Sequence, residues 1–147
     1  MNLFLDSSAL VKRYVEERGT PAVLELMRRA DLCLASRLAW LEITSAVARA
    51  SRYGTLSDPR SVLSAVDDDF CVLVGIVEVT PAVISDARRL TLKHPLRAAD
   101  AVHLSSVLMS RSLHGTDVRF VCSDRKLNDA AASEGLNVVD PQEVRAE

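Results

Sequence analysis

The chain has 147 residues, a length that suits one domain with a substantial core. Hydrophobic residues make up 48% and charged residues 26%, and 18 Lys+Arg against 20 Asp+Glu leave a formal charge of −2. That balance excludes a basic protein that coats nucleic acid by charge alone, and it excludes a disordered chain, which needs lower hydrophobicity or a larger net charge.

Met1 to Asp6 carries no basic segment, and its apolar run breaks at Asp6, so it reads as neither signal peptide nor membrane span. Leu3-Phe4-Leu5 is instead a short strand, followed by the capping residues Asp6-Ser7-Ser8 and a predicted helix over 9–17 closed by Gly19. Thr20 as cap and Pro21 at the first helical position start a second helix. Leu32 to Ala35 reads as strand and 37–52 as a long helix ended by Gly54. Ser57-Asp58-Pro59 opens a helix towards Val74, Gly75 is expected to stop it, and 76–79 reads as strand. Thr80-Pro81 starts a helix to about Lys93, His94-Pro95 breaks it, and 97–112 continues helical. A strand over 118–122, a helix from Ser123-Asp124 to Glu134 closed by Gly135, and a last strand at 137–139 complete the chain.

Strands of three to five residues alternating with helices imply a parallel sheet covered on both faces. The handed crossover rule then makes an α/β fold, a three-layer α/β/α sandwich with a mainly parallel central sheet, the expected architecture for residues 1–147 as one domain. Cys33, Cys71 and Cys122 are odd in number, far apart and form no C-x-x-C, which argues against a disulfide framework or zinc knuckle and fits a reducing cytoplasm.

In open α/β sheets ligands bind beyond the carboxyl ends of the strands. Asp6 follows the first strand and Asp124 follows a later one, so both are expected at the same sheet edge. Taken singly, each reads first as a helix cap, although Ser7, Ser8 and Ser123 offer alternative caps. Glu42 and Asp100 lie inside helical patterns. Glu42 has Leu38 and Ala46 at i−4 and i+4, and Asp100 has Leu96 and Leu104, so neither has the usual exposed partner. Apolar residues surround Glu42 almost completely, which predicts a buried helix. A buried carboxylate needs a partner, a proton or a metal. Arg49 and Arg111, two turns along the respective helices, are the structural candidates for such a partner. Four acids converging on one crevice raise one another's pKa and call for a divalent cation. Mg²⁺ takes hard oxygen ligands and activates water against a phosphoryl group, so the inferred reaction class is metal-assisted phosphodiester hydrolysis.

These residues also carry a resemblance. Leu-Asp-Ser-Ser-Ala-Leu-Val-Lys (5–12), the Glu within Leu-Ala-Trp-Leu-Glu-Ile (38–43), Leu-Arg-Ala-Ala-Asp-Ala-Val-His-Leu (96–104), Cys-Ser-Asp-Arg-Lys-Leu (122–127) and the ending 134–141 occur in the order found in PIN-domain nucleases. The chain resembles in particular VapC-type toxins of toxin–antitoxin pairs. The resemblance implies a Mg²⁺-dependent endoribonuclease, with Mn²⁺ as substitute, whose four acidic positions are Asp6, Glu42, Asp100 and Asp124. It places Asp6 and Asp100 first among the metal ligands. It also implies a homodimer, an RNA substrate and a cognate VapB-like antitoxin whose C-terminal peptide lies across the site. The departure is Cys122, where many relatives carry a Thr or Ser, leaving Ser7 and Ser123 to supply the hydroxyl.

The alternative readings are a non-catalytic PIN-fold module that binds RNA or protein, and an aspartyl-phosphate domain of the receiver or dehalogenase type. The second lacks the acid pair that such sites need near the N-terminus. His103, one turn from Asp100, reads as a partly buried helix residue with a satisfied hydrogen bond. His94, His114 and Asp67-Asp68-Asp69 read as surface. Lys12, Arg37 and Arg97 read as solvated cations close to the acids, and Trp40, Phe70 and Leu73 as core or interface.

Overall fold

Short apolar strands bury both faces only when helices cover both sides of their sheet. The computed structural model, which describes residues 1–115 and 117–144, has this arrangement. Strand β1 (Asn2–Leu5) leads through α1 (Ser7–Leu10) and a 3-10 turn (Val11–Arg13) to α2 (Thr20–Arg29) and β2 (Leu32–Ser36). Helices α3 (Arg37–Arg52) and α4 (Pro59–Val72) precede β3 (Val74–Val77). Helices α5 (Pro81–Lys93) and α6 (Ala98–His114) precede β4 (Val118–Val121), and α7 (Arg125–Ser133) leads to β5 (Asn137–Val139). The sheet order is β3-β2-β1-β4-β5, and every pairing is parallel.

Successive strand residues point to opposite faces, so each strand feeds two cores. Phe4, Leu34 and Phe120 face the layer of α5, α6 and α7, with Leu90, Leu104 and Leu127. Leu3, Leu5 and Ala35 face the other layer, with Val23, Ile43, Val47 and Phe70. Phe4 and Phe120, opposite each other in register, hold their rings 6.1 Å apart. The chain runs outward from β1 through β2 to β3, then crosses to β4 on the other side. The strand order therefore reverses between β1 and β4, where open sheets leave a crevice.

Four expectations from the sequence are corrected. The helix expected over 9–17 ends early, because the Lys12 carbonyl turns to accept the Thr20 hydroxyl at 3.0 Å and the Lys12 ammonium binds the Glu17 carboxylate at 2.7 Å. Gly19, not Thr20, is the cap of α2; its φ of 94° and the Pro141 carbonyl 3.0 Å from where a Cβ would stand both favour glycine. Gly75 does not stop a helix. It lies inside β3 opposite Leu34, where a Cβ would come within 2.8 Å of Leu34 Cδ2. Helix α3 is buried on one face only: Ala39, Ile43 and Val47 are enclosed, whereas Leu41 is 66% exposed.

The acidic run 67–69 is also more than solvated surface. Asp67 accepts the Trp40 indole N–H at 2.9 Å, and Asp69 takes a two-pronged bond from Arg13 at 2.5 and 3.1 Å. His94, expected at the surface, is nearly covered and bonds Glu134 at 2.7 Å. Trp40 stacks on Phe70 at 5.7 Å, the core or interface role expected for both. Among the described residues no helix is long and apolar enough to cross a membrane, and the three cysteines are free thiols.

Candidate active site

The register of β1 with β4 brings the acids of the two strand ends together. Leu5 pairs with Val121, and the next residue, Asp6, donates its backbone N–H to the Val121 carbonyl at 2.9 Å. Asp6 caps α1, as its position predicts, but with one oxygen only. Its Oδ2 accepts the Ser8 N–H at 3.1 Å, the Ser8 hydroxyl at 2.6 Å and the Cys122 thiol at 3.6 Å. The Ser8 hydroxyl oxygen also accepts the Ser123 N–H at 3.0 Å, tying the loop after β4 to the start of α1. The other oxygen, Oδ1, is buried without a hydrogen-bond partner among the described residues, 3.7 Å from His103 Nε2. Asp6 as a residue is only 3% exposed.

Asp124 caps α7 through Oδ1, which accepts the Leu127 N–H at 2.9 Å. Asp100 lies in the first turn of α6 and accepts Arg97 Nε at 3.2 Å. Glu42, in the second turn of α3, is hydrogen-bonded to His103 Nε2. The sequence-level partners Arg49 and Arg111 take neither acid. Arg111 reaches the Glu134 and Gly135 carbonyls instead, because α6 carries it to the far end of the helix from Asp100. Asp100 and Asp124 face an open depression of about 460 Å³, while Asp6 lies beneath the surface.

The charges shift one another. Burial pushes the Asp100 carboxyl up, and the neighbouring Asp6 and Asp124 charges add to this against the opposing Arg97. Burial pushes Glu42 up as well, but the His103 hydrogen bond and charge outweigh it, and its pKa is lowered. For His103 burial opposes the charged form, yet Glu42, Asp6 and Asp100 prevail and raise its pKa. Burial drives the Cys122 thiol up, so it stays a neutral donor beside Asp6.

Two participants differ from the sequence reading. His103 is only half satisfied: its Nε2 bonds Glu42, while Nδ1 is buried without a hydrogen-bond partner among the described residues, and the ring is buried rather than partly exposed. The hydroxyl on Asp6 comes from Ser8, whereas the Ser7 hydroxyl acts on Glu42, whose carboxyl it helps to lower; the buried Ser123 hydroxyl has no partner among the described residues. The signal for Ser8 was present, since a residue two beyond an Asp is where an Asx turn places its N–H.

Among the described residues no three His, Cys, Asp or Glu side chains are drawn together into a ready-made metal cage. Glu42 is taken by His103 and Asp100 by Arg97. The donor set is nonetheless one that suits a hard divalent cation. Asp6 presents a carboxylate oxygen buried without a hydrogen-bond partner among the described residues, and the Asp6 and Asp124 charges stand near enough to raise the Asp100 carboxyl. An oxygen buried without a hydrogen bond is unfavourable, and His103 at 3.7 Å answers it only by charge, leaving a direct ligand position open.

No protein-family model matches the chain. Ribonuclease VapC45 of Mycobacterium tuberculosis is 33% identical over 141 residues, spanning 95% of this chain and 96% of the relative. The crystal structure of Mycobacterium tuberculosis VapC20, a Sarcin-Ricin loop cleaving toxin, superposes with a TM-score of 0.68 at 14% identity, covering 87% of this chain and 94% of that one. The crystal structure of VapBC2 from Rickettsia felis, bound to a DNA fragment from their promoter, gives a TM-score of 0.65 at 13% identity over 95% of this chain and 98% of that one.

Proposed function

Because the chain belongs to the VapC ribonucleases, we propose that it is the toxin of a VapBC-type pair, a metal-dependent endoribonuclease that hydrolyses RNA phosphodiester bonds at Asp6, Glu42, Asp100 and Asp124. The observation that carries this reading is the free Oδ1 of buried Asp6, held beside two further carboxylates at the reversal point of a parallel sheet. Asp6 and Asp100 are the first two residues to hold Mg²⁺ or its substitute Mn²⁺, with Asp124 and Glu42 completing the set directly or through water. Such an ion, when bound, neutralises the carboxylates, polarises a phosphoryl oxygen and lowers the pKa of an attacking water.

The chain's own groups do the positioning. Ser8 and Cys122 fix the rotation of Asp6, so that Oδ2 is occupied and Oδ1 is left for the ligand. His103 orients Glu42 and places positive character against Asp6 Oδ1. Arg97 holds Asp100 from the solvent side. An antitoxin peptide that delivered a guanidinium to Asp6 Oδ1 would compete for the same oxygen, which makes a VapB-like antitoxin the natural inhibitor. The working form is a homodimer acting on cytoplasmic RNA, with residues 1–147 as one nuclease domain.

The test is to incubate purified protein with RNA and Mn²⁺, with and without EDTA, beside Asp6→Asn and Asp100→Asn, and to sequence the RNA ends. Discrete ends that vanish with EDTA and in both variants support the reading. Intact RNA under every condition favours a non-catalytic binding module, and cleavage persisting in EDTA and in the variants overturns the metal mechanism.

A further inference from the structure

A carboxylate cluster repels the polyanion it is meant to cut, and a chain of net charge −2 offers no general attraction to offset this. The attraction must then come from cations placed at the mouth. Two of the three cations nearest the acids in sequence are not free for this. Lys12 is 3% exposed and bonded to Glu17. Arg37 binds Glu78 and lies over the Trp40 ring at 5.5 Å. The mouth itself is different. The depression of about 460 Å³ is lined by Pro95, Arg97, Asp100, Asp124, Arg125 and Lys126.

Arg125 and Lys126 are exposed, and neither joins an ion pair among the described residues. As the first two residues of α7 they stand at its N-terminal end, where the helix dipole adds positive potential. Arg97 is 82% exposed and spends only its Nε on Asp100. Its remaining N–H groups are available, since a guanidinium has five donors.

We infer that Arg97, Arg125 and Lys126 form a phosphate-binding lip that grips the RNA backbone on either side of the carboxylate cluster. This rests on the ribonuclease reading above and names the substrate contact of the same site. The ligand is a single-stranded ribonucleotide backbone, bound through its phosphates. No aromatic side chain lines the depression, so it has no platform on which a base would stack. Contacts of this kind position the strand and carry no sequence information. Choice of RNA target must therefore come from other surfaces.

The test measures binding of two short fluorescein-labelled single-stranded RNAs, one uridine-rich and one adenosine-rich, across a salt series in EDTA. Each neutralised phosphate contributes about 0.7 to the slope of log affinity against log salt, so Arg97→Ala/Arg125→Ala/Lys126→Ala should be shallower than wild type by about 2 on both RNAs. Arg125→Ala/Lys126→Ala, which leaves the Arg97–Asp100 pair intact, should lose about 1.4 of slope. Arg29→Ala, exposed on α2 at the opposite end of the sheet, should lose no more than its general charge. An unchanged slope in the double and triple variants, with thermal midpoints preserved, overturns the lip; so does a loss confined to one RNA sequence. Failure of the ribonuclease reading is seen separately, as intact RNA with wild type and Mn²⁺. Cleavage by wild type with unaltered slopes in the variants removes the lip alone.

Discussion

Asp6 carries two different duties on its two oxygens: Oδ2 closes the start of α1 with Ser8 and Cys122, and Oδ1 remains buried and unmet. Substituting Asn keeps the size and a capping oxygen but removes the charge. Asp6→Asn is therefore expected to keep its fold while losing Mn²⁺ affinity at least about 100-fold, at the upper end of what outer partners of a metal site contribute; calorimetric titration with Mn²⁺ reads it. The two hydroxyls near Cys122 separate cleanly. Ser8→Ala removes a bond to a charged acceptor and should cost about 1–3 kcal/mol in urea unfolding, whereas Ser123→Ala deletes a buried hydroxyl that has no partner and should be neutral or slightly stabilising. The Asx-turn spacing after Asp6 marks Ser8 rather than Ser7. The approach of the Ser123 N–H from the far strand adds a second tie to the same hydroxyl, which the local spacing does not show.

Between elements, Glu134 at the end of α7 gathers Lys93 and His94 from the end of α5. The Lys93 and His94 hydrogen bonds hold its carboxyl below the ordinary value of 4.5, against the opposing effect of burial. A group whose folded pKa is depressed stabilises the fold fully above its unfolded pKa, and that contribution is lost as pH falls through the depressed folded value. The stability gap between wild type and Glu134→Gln should accordingly be fully present above the ordinary carboxyl value of 4.5 and close as pH falls below it, as read from urea midpoints. A gap that widens on acidification would contradict the assignment. Gly75 illustrates a different conflict between elements. Taken locally it is a breaker, but β2 pairing holds it in β3 with Leu34 against its missing Cβ. Gly75→Val should overpack this contact and lower stability by about 1–3 kcal/mol in thermal or urea unfolding.

At the scale of the whole molecule, one sheet with two separate cores puts all four acids near one edge while the bulk of each core lies elsewhere. Core substitutions and site substitutions should thus separate in their effects: site variants lose metal and RNA, and core variants lose stability. Light scattering after size exclusion is expected to give twice the chain mass, as the VapC membership leads one to expect; a monomer at every concentration tested would remove the homodimer from the proposal.

The order and kind of nearly all elements were determined by the sequence alone. Alternation of period 2 and period 3.6 and the capping residues are local signals, and local signals fix a helix such as α3 at 37–52 or a strand such as β5 at 137–139. The four acids stood out for the same reason, being charged residues at strand ends or inside apolar helical stretches. What the tertiary structure decided was the choice of partner across the fold. His103 for Glu42, the Ser123 N–H on the Ser8 hydroxyl and the admission of Gly75 into a strand depend on register and on where the chain crosses from β3 to β4, whereas Arg97 on Asp100 and Ser8 on Asp6 are local pairs within one turn. The long-range contacts join residues distant along the chain, and no local periodicity encodes which of several chemically able neighbours arrives within hydrogen-bonding distance.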